Sequence, residues 1–83
     1  MTNEELKALE VAKQIDARGT ACPGPLLAAK QGIGEIESGD VMEVLSADAG
    51  TKRDIPKWCK KMDHEFLGIV DEDSFSRLYL KKA

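Results

Sequence analysis

Two prolines, Pro23 and Pro25, constrain the fold of this chain more than any other feature. Proline has a restricted φ and no backbone N–H, so it fits the first turn of a helix, where N–H groups have no partner. The turn-like segment Asp16-Ala17-Arg18-Gly19 precedes both prolines. The sequence therefore predicts that a strand breaks at Gly19, through an unusual backbone angle or a close approach, and that a helix begins at Pro23.

Cys22 directly precedes the first of these prolines and lies at or next to the predicted N-cap. Unpaired N–H groups and the positive end of the helix dipole stabilise an anion there. Thiolates at helix N-termini can have pKa values roughly 1 to 5 units below the free value of about 8.5. The thiolate is the nucleophile, so the motif predicts a reactive thiol, with Pro23 and Pro25 as the scaffold that holds it exposed. The alternative is a small buried hydrophobe, which is a common role of free cysteine.

Hydrophobic periodicity predicts an α+β fold with the element order β-α-β-α-β-β. Apolar residues alternate or run together at 11–17, 41–47, 65–70 and 74–82, as in strands, and recur at helical spacing from 23 to about 37 and around 55–62. Strand–helix–strand links favour parallel pairing, and the last link favours an antiparallel hairpin. We expect a two-layer sandwich in which a four-stranded mixed sheet carries both helices on one face.

The start of the second helix is open between three rival N-caps, Asp48, Thr51 and Asp54. Pro56 is awkward inside a helix, so we expect the regular helix to start close before it. Cys59 lies on the apolar stripe of this helix, which favours a buried structural role. His64 follows near the helix end, where it can cap carbonyls or interact with the dipole.

Length and charge define one small domain. The 83 residues allow one modest core, with residues 1–10 as a polar extension and 11–83 as the domain. The formal net charge of −3 argues against a broad nucleic-acid-binding face. One segment is nevertheless basic, and it is either a solvated helix face or a docking surface. Its cations are Lys52, Arg53, Lys57, Lys60 and Lys61.

Other classes of site are not expected. The two cysteines and the single histidine have no metal-ligand spacing, so we predict no metal site. There is no apolar run that could span a membrane and no secretory signal, so we expect a soluble cytoplasmic domain without a membrane partner. The chain also has no Cys-x-x-Cys, so no resolving cysteine lies close to Cys22 in the sequence.

The segment from Asp16 to Pro25 resembles the signature of the TusA/SirA-like sulfur-carrier family, a glycine turn followed by Cys-Pro-x-Pro. Arg53-Asp54-Ile55-Pro56, Trp58-Cys59 and His64-Glu65 are similar to that family's second helix. The likeness covers about residues 11–82 in order, spacing and length. It implies a βαβαββ sandwich with one strand antiparallel to the rest.

The resemblance also implies a function. Cys22 would accept a persulfide sulfur from a donor such as a cysteine desulfurase or a rhodanese-like protein and pass it to an acceptor protein. In TusA itself the relay ends in tRNA thiolation, whereas related members serve thiosulfate or sulfite metabolism. We expect no cofactor beyond the covalent sulfur on Cys22, no direct nucleic-acid partner, and a monomer.

The residues leave the partner and several roles open. Gly24 stands where an acidic residue is common in the family, on the expected docking surface, with Arg53 and Asp54 as further docking candidates. Arg18 could place charge near the thiolate, contact a partner or pair with Asp16. A different class of function is a non-catalytic adaptor that binds partners through the same surface. An RNA-binding domain of similar layout is a third possibility, which the acidic balance opposes.

Overall fold

The fold is taken from a computed structural model that describes residues 3–20 and 24–83. Within these two ranges, three helices and four strands follow one another. They are α1 (Asn3–Lys7), β1 (Val11–Asp16), α2 (Gly24–Ile33), β2 (Val41–Ser46), α3 (Thr51–Lys61), β3 (Glu65–Asp71) and β4 (Ser76–Lys81). The predicted α+β class and the order of the strands and the two longer helices are confirmed, and the short helix α1 precedes them.

The strands form one mixed sheet in the order β1-β2-β4-β3. β1 pairs in parallel with β2, whereas β4 runs antiparallel to both of its neighbours, β2 and β3. β4 is therefore the single strand that opposes the rest, as predicted. The carboxyl ends of β1 and β2 meet at the same edge of the sheet, which brings the connections that leave these two strands side by side.

The main core lies between the sheet and helices α2 and α3. It contains Ala29, Ile36, Met42, Val44, Ile55, Trp58, Cys59, Leu78 and Leu80. A close approach of α2 to β1 depends on Gly32, because a Cβ there would lie 2.5 Å from Cδ1 of Ile15 and 3.1 Å from the sulfur of Met42. The packing gained by this approach offsets the weak helix propensity of glycine.

Helix α2 ends at Ile33, so the predicted end near residue 37 is wrong. The chain tightens into shorter turns, in which the N–H of Gly34 donates to the Gln31 carbonyl and the N–H of Glu35 donates to the Gly32 carbonyl. Bonds of this i→i−3 type commonly close a helix. Ile36 is buried all the same, which explains why the apolar pattern continues past the last helical residue.

Helix α3 begins at Thr51, with Gly50 at the N-cap and no side chain capping it. The three predicted caps therefore have other roles. Asp48 accepts a bond from the Gly50 N–H in the preceding turn, Thr51 is buried with its hydroxyl 2.9 Å from the Ser46 hydroxyl, and Asp54 lies in the first turn. Pro56 lies inside the helix, so the expectation that the helix starts close before it is wrong, because buried Thr51 and bonds to the Gly50 carbonyl start it earlier.

The opposite face of the sheet is partly covered by α1. Leu6 is only 1% exposed and packs against Val70 and Tyr79. Gly68, with a φ of 155° at an irregularity in the β3–β4 pairing, makes room for it, since a Cβ there would lie 2.8 Å from Cδ1 of Leu6. Residues 3–10 thus contribute a helix and a buried anchor to the second face. No helix in the described part of the chain is long and apolar enough to cross a membrane.

Substitution of Leu6 by alanine tests whether α1 belongs to the folded unit. We expect Leu6→Ala to lower the free energy of unfolding by about 2–3 kcal/mol, because it removes a buried side chain and leaves a cavity. Leu27→Ala is the matched control, because Leu27 is 54% exposed, and it should change the unfolding free energy by less than about 0.5 kcal/mol. Equal effects of the two substitutions in urea denaturation would contradict the packing of α1 on the sheet.

Candidate functional site

The candidate site lies where the chain leaves β1 and enters α2. The Ala17 N–H donates to the Leu45 carbonyl at 2.9 Å, which continues the parallel pairing of β1 with β2 beyond the last residue of β1. Ala17 is buried, whereas Arg18, Gly19 and Thr20 are exposed. Of the predicted site residues, Cys22 and Pro23 lie outside the described part of the chain, as does Ala21, and the described residues that flank this segment are Thr20 and Gly24.

Gly19 forms a tight turn at residues 17–20. The N–H and the hydroxyl of Thr20 both donate to the Ala17 carbonyl, at 3.2 and 2.7 Å. Gly19 has a φ of 88°, and nothing lies within 4 Å of the place where its Cβ would be. Of the two reasons expected for this glycine, the backbone angle applies and a close approach does not. A positive φ at the third position of a turn is typical of glycine.

Gly24 and Pro25 begin helix α2 on the far side of Cys22. A Cβ at Gly24 would lie 3.1 Å from Cβ of Thr20, so the two ends of the intervening segment are held close together. Pro25 is fully buried in the first helical turn, as a scaffold residue would be. An acidic residue is common at this position in the family that the sequence resembles. A side chain here would crowd Thr20, so the glycine has a packing reason in addition to any effect on docking.

Arg18 pairs with Asp16, one of the three alternatives that the sequence leaves open. The Nε and Nη2 of Arg18 donate to the two carboxylate oxygens of Asp16 at 2.9 and 2.7 Å, and its backbone N–H also donates to Asp16. These hydrogen bonds from Arg18 lower the pKa of Asp16 from 3.8 to about 2. The guanidinium also lies 4.9 Å from the ring centroid of Phe75.

Phe75 is a neighbour of the site that no motif in the sequence identifies. It precedes β4 in the turn after β3, and the sequence places it within the last strand. The only local signal is its alternation with Arg77 and Tyr79, which fixes a face of the sheet. No local pattern shows that this face meets the turn after β1.

The two docking candidates on α3, Arg53 and Asp54, lie in different surroundings. Asp54 lines a cleft of about 240 Å³ between α2 and α3, whereas Arg53 is exposed and does not line it. The walls of the cleft also include Leu26, Lys30, Lys57, Trp58 and Lys61. The predicted basic segment is divided as well, because Lys52 forms an ion pair with Asp71 at 2.5 Å.

Cys59 and His64 have structural surroundings. Cys59 is fully buried, and burial raises the pKa of its thiol to about 11. His64 packs edge-on against Trp58, and its Nδ1 accepts a hydrogen bond from the Ala83 N–H at 3.0 Å. Its side chain therefore bonds the backbone of Ala83, beyond β4. Within residues 3–20 and 24–83, no three His, Cys, Asp or Glu side chains gather as a metal site would require.

The Asp16–Arg18 pair makes a prediction about pH. A carboxyl whose pKa is lowered in the folded state stabilises the fold above its unfolded pKa, and this contribution is lost as the pH falls through the folded value. For Asp16 the loss should occur between about pH 4 and pH 2. Carboxyl-carbon NMR should give a midpoint of about 2 in the native protein and a higher one in Arg18→Gln, which loses the side-chain bonds and keeps the bond from the backbone N–H of residue 18. Identical midpoints would show that the pair does not form.

Known proteins resemble this chain over nearly its whole length. The profile of the family described as Sulfurtransferase TusA matches residues 13–82. A relative from Archaeoglobus fulgidus is 43% identical over 68 residues, which are 82% of this chain and 93% of that protein. The sulfur carrier protein TusA of Pseudomonas entomophila is 35% identical over 68 residues, 82% of this chain and 85% of that protein.

A solved structure agrees with the fold. The crystal structure of a SirA-like protein from Desulfitobacterium hafniense superimposes with a TM-score of 0.75 at 25% identity and covers 83% of this chain and 95% of that one. The predicted resemblance to TusA/SirA-like proteins is therefore confirmed by sequence and by structure. On these grounds the chain belongs to the TusA sulfurtransferase family.

Proposed function

We propose that this protein is a sulfur carrier that holds a persulfide sulfur on Cys22 and passes it to a second protein. The observation that carries the proposal is the family match over residues 13–82, which includes Cys22 within its Cys-Pro-Gly-Pro motif. Relatives that are named sulfur carrier proteins support it. The turn at 17–20 precedes this motif, and helix α2 begins within it at Gly24.

The described neighbours of Cys22 suit a thiol that must react with other proteins. On one side Thr20 is tied to the Ala17 carbonyl, and on the other side Pro25 is buried in the first turn of α2. These two anchors lie two residues before and three residues after Cys22 in the sequence. Helix α2 begins two residues after Cys22, and a helix N-terminus stabilises a thiolate.

The proposed transfer needs no external oxidant or reductant. The Cys22 thiolate attacks the outer sulfur of a donor persulfide and forms a new sulfur–sulfur bond. The bond between the outer sulfur and the donor's cysteine breaks, and the donor leaves as a thiolate. In the second step an acceptor thiolate attacks the outer sulfur on Cys22, and Cys22 leaves as the thiolate. A low thiol pKa assists Cys22 both as nucleophile and as leaving group.

Cys59 cannot discharge the proposed persulfide from its buried position. It is fully buried in the core, and the raised pKa of its thiol leaves almost no thiolate at neutral pH. A sulfur on Cys22 would therefore remain until an acceptor protein docks. The chemistry is the same for tRNA thiolation and for the metabolism of sulfur compounds.

A relay of this kind also indicates which partners the protein has and in which compartment it works. The donor is a persulfide-forming protein such as a cysteine desulfurase or a rhodanese-like protein. Alternate docking with donor and acceptor favours a monomer that binds each partner transiently. A free thiol at Cys22 requires a reducing compartment, which favours the cytoplasm.

Sulfur loading tests the proposal directly. After incubation with a cysteine desulfurase and cysteine, peptide mass spectrometry should show a gain of one sulfur on the peptide that contains Cys22. Cys22→Ala should abolish the gain, whereas the matched Cys59→Ala should retain it. A gain that persists in Cys22→Ala would overturn the proposal. So would the lack of any gain with every donor protein that is tried.

Alkylation tests the thiolate on which the proposal depends. The rate of iodoacetamide reaction at Cys22 should rise with a midpoint below the free-thiol value of about 8.5. Cys59 should remain unmodified in the native protein until the pH approaches about 11. A Cys22 midpoint near 8.5 would favour the adaptor alternative, in which the thiol has no special reactivity.

A further inference from the structure

We propose that Phe75 is a positioning residue that acts through Arg18 to hold the turn leading to Cys22. The Phe75 ring lies between this turn and a partly buried charge network on the second face of the sheet. The structural part of the proposal depends only on described contacts. Its effect on sulfur transfer rests on the proposed function of Cys22.

Two guanidinium groups share the Phe75 ring. The central carbon of the Arg18 guanidinium lies 4.9 Å from the ring centroid, and that of Arg77 lies 5.2 Å from it. Both distances are within the range of about 6 Å over which a cation is attracted to an aromatic face. Phe75 thus connects Arg18, in the turn after β1, with Arg77, in the central strand β4.

Arg77 is the anchored partner of the ring. Its Nη1 lies 3.3 Å from Oε2 of Glu43 and its Nε lies 3.4 Å from Oε1 of Glu72. Glu43 is only 5% exposed, and its other oxygen accepts a bond from Gln14 at 2.6 Å. Burial alone would raise the pKa of Glu43, but the bonds from Gln14 and Tyr79 and the charge of Arg77 hold it below its ordinary value. Glu43 therefore remains charged, and Arg77 remains bound to it.

Arg18 is the exposed partner of the ring. Its side chain is 46% exposed and that of Asp16 is 51% exposed, and surface ion pairs of this kind contribute little by themselves. Contact with Phe75 adds a second restraint, which originates in the partly buried network around Glu43. The ring therefore connects the sheet to a side chain that is otherwise held by an exposed ion pair.

The position of Arg18 matters because its backbone belongs to the turn. Its N–H donates to Asp16, and the adjoining Ala17 carbonyl accepts both bonds from Thr20. Thr20 in turn lies against Gly24, at the start of α2. A loosened Arg18 should therefore loosen the turn on one side of Cys22. The charge of Arg18 is already balanced by Asp16, so a positioning effect is expected rather than an electrostatic one.

Amide hydrogen exchange tests the structural part. In Phe75→Leu the N–H groups of Arg18 and Thr20 should exchange about two- to fivefold faster, as expected for the loss of one exposed cation–π contact. Phe75→Tyr keeps an aromatic face and should exchange as the native protein does. Phe66→Leu, on the helix-covered face, is the matched control and should leave both amides unchanged. The exchange rate of the core amide of Val44 reports any global loss of stability. Unchanged exchange of the amides of residues 18 and 20 in Phe75→Leu would overturn the proposal.

A double-mutant cycle tests the functional part through the rate of sulfur acceptance from a charged cysteine desulfurase. Phe75→Leu and Arg18→Gln should each slow acceptance by about two- to fivefold, and the double variant should be no slower than the slower single variant. If Phe75→Leu slowed acceptance as much in the Arg18→Gln background as in the native protein, the proposed action through Arg18 would be overturned. If the native protein accepts no sulfur, the proposed function is wrong, whereas hydrogen exchange still decides whether the ring positions the turn.

Discussion

The parallel pairing of β1 with β2 is the constraint on which the rest of the site depends. It continues through the bond from the Ala17 N–H to the Leu45 carbonyl, so the chain leaves the sheet from a defined position. The turn at Gly19 then redirects it, and the close approach of Gly32 to Ile15 holds α2 over the same strand. The segment that contains Cys22 joins two elements whose relative placement the core determines.

The sequence predicts the fold well where periodicity carries the information. The four strands, their mixed sheet and the single antiparallel strand follow from apolar patterns and the handedness of crossovers. The helix ends do not, because tertiary contacts decide them. Ile36 stays buried after α2 has ended. Thr51 is buried too, and α3 begins at this residue, well before Pro56. Leu6 shows the same limit, since its partners Val70 and Tyr79 are distant in sequence.

The candidate site is predictable only in its local part. The glycine turn and the burial of Pro25 are consequences of backbone geometry, which short motifs encode. The pairing of Arg18 with Asp16 is one of several options that the sequence offers, and geometry selects it. The link from Arg18 through Phe75 to Arg77 has no sequence signal, because it joins the turn after β1 to the far hairpin. Contacts across a sheet become visible only when strand order and register are known.

Onward transfer is the step that distinguishes a carrier from a protein with a merely reactive thiol. The most direct measurement is to load Cys22 with isotopically labelled sulfur, remove the donor, and add a sulfur-free rhodanese-domain protein, which can act as acceptor as well as donor because persulfide exchange is reversible. Mass spectrometry of both intact proteins then follows the label. The account predicts that labelled sulfur leaves Cys22 and appears on the acceptor in equal amount, without release of sulfide. Label that stays on Cys22, or that is released as sulfide at the same rate with and without the acceptor, would contradict it.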